Sequence, residues 1–227
     1  MPVIVDEEGQ EASVVRASIE THKDALAAKG YGADRVSKFD SLHADMSAKT
    51  SAQRLAQVTL FQRTKDQHDA MTAGSVIITR LQDAASSAYG RGSPVLKEFL
   101  IGVNKPRAVG KMETTLEYLS GVAARRAADL NANGFSKDDI DQILTVYGNL
   151  VSADNMQKNA KKIRNSATEA RDNAVGAMKA EIFRVRKFVK GAFSKDNAML
   201  EEFKPIKRGG KRGGGTSPNP PTPPPAK

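Results

Sequence analysis

The sequence predicts an all-α protein: two tandem, internally duplicated four-helix-bundle-like units in a pseudo-twofold relation, followed by a disordered C-terminal tail. Three observations predict it. First, a phrase recurs 104 residues apart, GYGADRVSKF at 30–39 and GFSKDDIDQI at 134–143. Second, each copy follows an apolar stripe of identical spacing. Ala12, Val15, Ile19, His22 and Leu26 precede the first, and Leu116, Leu119, Ala123, Arg126 and Leu130 precede the second. Intervals of three and four place five side chains on one side of a helix. Third, aromatic residues make up only 5% of the chain and tryptophan is absent. The core must then come from Ala, Leu, Val, Ile and Met, which suits packed helices better than sheets.

The stripes predict helices over 11–29 and 112–131. Gly30 and Gly134 fall just past them, where a left-handed residue closes a helix. Tyr31 and Phe135 then pack back on the last turn. The next helices, over 33–48 and 137–151, continue the stripe through Val36, Phe39, His43 and Met46 and through Ile140, Ile143, Tyr147 and Leu150. Ser136 with Asp139 three places on has the form of a capping box. Long helices over 52–89 and 154–193 follow, interrupted at similar depths by Gly74 and Gly176, each either a bend, a close helix crossing or a tolerated glycine. Their middles, around 52–70 and 156–174, match poorly, as a small shift between the copies would make them. Short helices over 94–102 and 195–203 end each unit. Ser93 and Pro94 form a clean helix start.

These elements divide the chain into a first helical unit at 1–103, a linker at 104–110, a second unit at 111–203 and a basic Gly/Pro-rich tail at 204–227. The tail, KPIKRGGKRGGGTSPNPPTPPPAK, holds one large apolar residue, Ile206. It cannot bury enough surface to offset its chain entropy.

Charge narrows the partners. The formal net charge is +9, and the tail alone supplies six Lys and Arg with no Asp or Glu. The body is close to balanced, so it does not attract polyanions as a whole. One stretch differs: residues 158–190 hold ten Lys and Arg against Glu169, Asp172 and Glu181. Candidate polyanion-binding residues are therefore Lys158, Lys161, Lys162, Arg164, Arg171 and Lys179, with Lys207, Arg208, Lys211 and Arg212 of the tail. Phosphate-backbone contact needs only spaced Lys and Arg.

Catalytic chemistry finds little support. The chain has no cysteine, which removes disulfides, thiolate zinc sites and cysteine nucleophiles. Its three histidines are His22, His43 and His68. The first two sit on the apolar stripes, as expected of seam-edge residues with a buried stem and a wet tip. DQHD at 66–69 lacks the Glu-x-x-His spacing of carboxylate-bridged metal bundles. No GxxxxGK[ST] loop and no GxSxG elbow occurs. GRGSP at 90–94 reads as turn chemistry.

The expectation is a non-enzyme with no metal, cofactor or small-molecule substrate: a structural or protein-interaction helical protein, capable of self-assembly, whose partner is another protein or a further copy of itself. The alternative is a nucleic-acid-associated protein that grips the phosphate backbone without sequence specificity. No stretch reaches the length of a membrane span, and MPVIVDEEGQ lacks a basic n-region. The default expectation is a cytoplasmic protein.

Overall fold

A computed structural model describes residues 3–206. Most of the described residues are helical, with no strand among them. In chain order the helices are α1 (Val3–Thr21), α2 (Lys23–Ala28), α3 (Ala33–Tyr89), a 3-10 turn (Pro94–Phe99), α4 (Val109–Arg125), α5 (Ala127–Ala132), α6 (Lys137–Ala192) and α7 (Asn197–Glu202). No described helix is long and apolar enough to cross a membrane. The tail from residue 207 on lies outside the described residues.

Each predicted first helix is two helices. Between α1 and α2 stands His22, and between α4 and α5 stands Arg126, with nearly the same backbone angles (φ −108°, ψ 21° and φ −107°, ψ 19°). The i to i−4 bonds continue through both residues. His22 N donates to Ser18 O at 3.1 Å and Arg126 N to Val122 O at 3.1 Å.

The glycine corners form as expected. Gly30 has φ +94° and Gly134 φ +82°, a region that a side chain would strain. Tyr31 N donates to Leu26 O at 2.9 Å while Gly30 N donates to Ala27 O at 2.9 Å. Phe135 N and Gly134 N do the same to Leu130 O and Asn131 O, at 3.0 and 3.3 Å. This paired closure satisfies carbonyls that a bare helix end leaves open. Tyr31 and Phe135 are both buried. The box at the start of α6 also forms. Ser136 N donates to Asp139 Oδ2 at 2.9 Å, and Asp139 N donates to Ser136 Oγ at 3.3 Å.

The predicted breaks at 49–51 and 152–153 are absent, so α3 and α6 each run unbroken, for 57 and 56 residues. No glycine or proline interrupts SAKTSAQ or VSADN. The polar residues at these points have partners within the helices. Thr50 Oγ1 donates back to Met46 O at 2.8 Å, as a mid-helix hydroxyl does. Asp154 accepts from Gln67 Nε2 at 2.7 Å and pairs with Lys158 at 2.5 Å.

The compact units do not coincide with the halves of the sequence. One takes residues up to Phe39 together with those from Ala180 on; the other takes Asp40–Lys179. The first unit thus contains α1, α2, the opening turns of α3, the end of α6 and α7. It buries Val15, Ile19, Leu26, Tyr31 and Phe39 from one half and Ile182, Val185, Val189 and Phe203 from the other. The Tyr31 and Phe188 rings lie 5.3 Å apart, and Lys38 reaches Glu181 at 3.3 Å. The second unit contains the rest of α3, the 3-10 turn, α4, α5 and most of α6. Its core joins Ile78, Leu81 and Phe99 to Leu116, Leu119, Leu130, Phe135 and Ile143. There α3 and α6 run antiparallel, since Arg80 meets Asp139 while Gln67 meets Asp154. Each large apolar side chain so buried is worth about 1.5–3 kcal/mol over its exposed state.

Burial recurs at an offset of 104 without the expected shift. Ala56 and Ala160, Leu81 and Val185, and Phe99 and Phe203 are all buried. The middles of α3 and α6 differ in residue type and agree in register.

The two mid-helix glycines differ in surroundings. A side chain on Gly74 would meet Met112 Sδ at 3.2 Å and Leu116 Cδ1 at 3.4 Å, which marks a close crossing of α3 and α4. One on Gly176 would meet nothing within 4 Å. Gly176→Ala is therefore expected to stabilise the fold by about 0.5–1 kcal/mol. Gly74→Leu is expected to cost about 1–3 kcal/mol by overpacking. Urea unfolding of the two variants checks both signs.

Candidate interaction surfaces

The basic stretch of α6 falls in both compact units, and its members have different fates. In the second unit, Asp154 is buried and holds Lys158. The hydrogen bond to that carboxylate, then its charge, raises the Lys158 ammonium above its ordinary value. Arg171 donates to Asp172 Oδ1 from Nε at 3.0 Å. Arg164 is half-buried, and its Nε meets no hydrogen-bond partner among the described residues. Lys161, Lys162 and Lys179 are exposed. Lys161 and Lys162 enter no ion pair among the described residues. In the first unit, Arg184 pairs with buried Glu181 at 2.9 Å and Arg186 with Glu11 at 2.5 Å. Lys207, Arg208, Lys211 and Arg212 lie outside the described residues. Of the ten cations of 158–190, Lys158, Arg171, Arg184 and Arg186 are thus paired with carboxylates of their own or another helix.

The stripe histidine and arginine reach the same kind of partner. In the first unit His22 Nε2 stands 2.8 Å from Glu202 Oε2. In the second, Arg126 Nη2 donates to Glu98 Oε1 at 2.8 Å, and that bond, then the charge of Glu98, raises the guanidinium above its ordinary value. His68 is exposed and His43 half-buried. Among the described residues no group of three or more His, Cys, Asp or Glu stands close enough to hold a metal ion. Burial, and next the bond that Tyr89 donates to Asp129 at 2.6 Å, pushes the Tyr89 phenol up to about 12. It therefore remains a donor at neutral pH.

A feature outside the predicted site residues lies in the middle of α3. Leu55, Val58 and Phe61 are 68, 65 and 75% exposed. Intervals of three set them in one oblique row. Val58 stands two residues from buried Ala56, about 200° around the helix from it, so the row crosses the side opposite the buried face. Scattered exposed apolar residues are ordinary; three consecutive ridge positions form a patch of the kind that marks contact sites. The sequence signal was present as apolar residues out of step with the stripe of Met46, Ala56 and Leu60.

Comparison of the chain with protein-family models, with curated proteins and with solved structures yields no match.

The best-defined polar cluster of the second unit joins Ser136, Asp139 and Arg80. The Ser136 N–H, with its hydroxyl and the Arg80 guanidinium at 2.6 Å, holds the Asp139 carboxyl below the usual carboxylate range, against a smaller opposing effect of partial burial. A depressed folded pKa contributes stability above the unfolded value, near ~3.9. That contribution is lost as pH falls through the folded value. Asp139→Ala is expected to cost about 1 kcal/mol at neutral pH through the lost cap. The gap to the parent should narrow as pH drops below the carboxylate range. Urea midpoints at neutral and strongly acidic pH check it.

Proposed function

We propose that the chain consists of two fused copies of one ancestral helical unit of about a hundred residues, and that it acts as a non-catalytic interaction protein that assembles with further copies of itself. The duplication is supported by details that repeat at the same offset. Gln82 Nε2 donates to the carbonyls of Phe99 and Leu100, at 3.0 and 3.2 Å. At the equivalent place, Arg186 Nε and Nη2 donate to those of Phe203 and Lys204, at 2.7 and 3.4 Å. The pairs His22–Glu202 and Arg126–Glu98 are equivalents as well. Side-chain identity has changed at these positions while the contact has persisted, as it would after copying and drift.

The observation that carries the assembly reading is the exposed row Leu55, Val58 and Phe61. Around it α3 carries both signs of charge: Arg54, Arg63 and Lys65 with Asp66 and Asp69. Two like surfaces can then meet without net repulsion, and the aromatic supplies the apolar anchor that contact sites favour. The rival reading, contact with a phosphate backbone, has support from the exposed Lys161 and Lys162 and is weakened by the ion pairs of Lys158 and Arg171.

Light scattering across a concentration series tests the assembly. The parent chain is expected to form dimers or larger species. The triple variant Leu55→Ser, Val58→Ser, Phe61→Ser should weaken association more than tenfold with an unchanged helical circular dichroism spectrum. A parent that stays monomeric at the highest attainable concentration, or a variant that assembles as well as the parent, would overturn the reading.

A further inference from the structure

The second compact unit contains a groove of about 580 Å³ beside the segment that leaves the 3-10 turn. Its floor is apolar. Ile78 of α3 contributes a buried side chain, and Leu100, Val103 and Pro106 line it as well. The crossing segment is held against α3 by Gln82, which donates to the carbonyls of Phe99 and Leu100. Thr114 and Thr115 of α4 also line it, the Thr114 hydroxyl donating to Gly110 O at 3.0 Å.

The charge around this floor has one sign. Lys105, Arg107 and Lys111 line the groove, and no Asp or Glu does. Lys105 Nζ meets Thr79 Oγ1, whereas Arg107 and Lys111 make no ion pair or hydrogen bond with any described side chain. α4 has no acidic residue in its first turn. Other cations of this unit are matched, Lys158 by Asp154, Arg126 by Glu98 and Arg80 by Asp139, while the exposed Lys161 and Lys162 of α6 are not. Three cations lining one groove without a carboxylate, though Arg107 also borders the hollow beside His68 and Met71, leave a local excess that an anion neutralises. The volume lies within the range of small-molecule sites, which pair an apolar lining with a few placed polar groups.

We propose that this groove binds a small amphipathic carboxylate. Its hydrocarbon body lies on Ile78, Leu100, Val103 and Pro106, and its carboxylate is received by Arg107 and Lys111, with Thr115 beside them. A neutral chain leaves the cations unmatched, and a bare polyanion leaves the apolar floor uncovered. The inference is independent of the assembly reading, since the row on α3 and this groove share no residue.

Titration of the full chain with decanoate, followed by calorimetry and by backbone amide NMR, tests it. Saturable one-to-one binding is expected, with shifts concentrated at 100–115. Decan-1-ol and decyltrimethylammonium should each bind at least about tenfold more weakly, as the loss of one charge-assisted contact implies. The exposed double variant Arg107→Glu, Lys111→Glu should lose decanoate affinity by a similar or larger factor while keeping the parent's melting curve. Val103→Asp, which fouls the floor and spares both cations, should lose it as well. Non-saturating titration, shifts centred elsewhere, equal affinity for decan-1-ol, or an unchanged affinity in either variant would overturn the proposal.

Discussion

An unbroken helix carries its last turn away from its first, and the burial of α1 and α4 follows from that constraint. Each is half of a short pair, α1 with α2 and α4 with α5, and each presents an apolar stripe that must be covered. The long helix that follows cannot fold its own far end back over the pair. In the first compact unit the cover is the end of α6 with α7; in the second it is the end of α3 with the 3-10 turn. Each unit is therefore built of segments from both sequence halves. A bend in α3 near Thr50 or in α6 near Asp154 would have allowed each half to close on itself. The sequence places no helix breaker at either point.

Apolar burial supplies the stability, and polar contacts select the register. The stripe of α4 buries Met112, Leu116, Leu119 and Val122 completely. An exposed ion pair adds little, with a median of about 0–1 kcal/mol. Arg126–Glu98 and His22–Glu202 still have a purpose, since they sit at the bend of each short pair and fix which residue of the covering segment it faces. Gln82 and Arg186 repeat this division of labour, tying the carbonyls that end each short segment to the long helix beside them.

Helix class, glycine corners and stripe positions were legible in the sequence because they depend on local rules. A glycine after an apolar stripe and an aromatic after the glycine are statements about one turn of chain. The capping box of Ser136 and Asp139 is equally local. Two features were not legible. The boundaries at 49–51 and 152–153 are absent, and the polar side chains at these points, Thr50 and Asp154, bond within or across the long helices. Whether a polar residue caps or bridges depends on what stands opposite it, which periodicity does not reveal. The partner of each stripe was also hidden, because either half offers an equally good apolar face to cover it. For the candidate sites, the basic stretch of α6 was visible as a charge count. Its pairing with Asp154, Glu181 and Glu11 depends on residues four, three and 175 positions away. The row at Leu55, Val58 and Phe61 was visible as apolar residues out of step with the stripe, a signal that an interaction surface shares with simple mispairing.

The exchange of covering segments is the claim on which the rest turns, and the absence of native cysteine makes it directly measurable. Cysteines placed in pairs at 22 and 202, or at 98 and 126, and treated with a short bismaleimide at low protein concentration should each give an intramolecular link in the monomer band. Links between 22 and 98, or between 126 and 202, which each half would form if it closed on itself, with none in the first two pairs, would contradict the account.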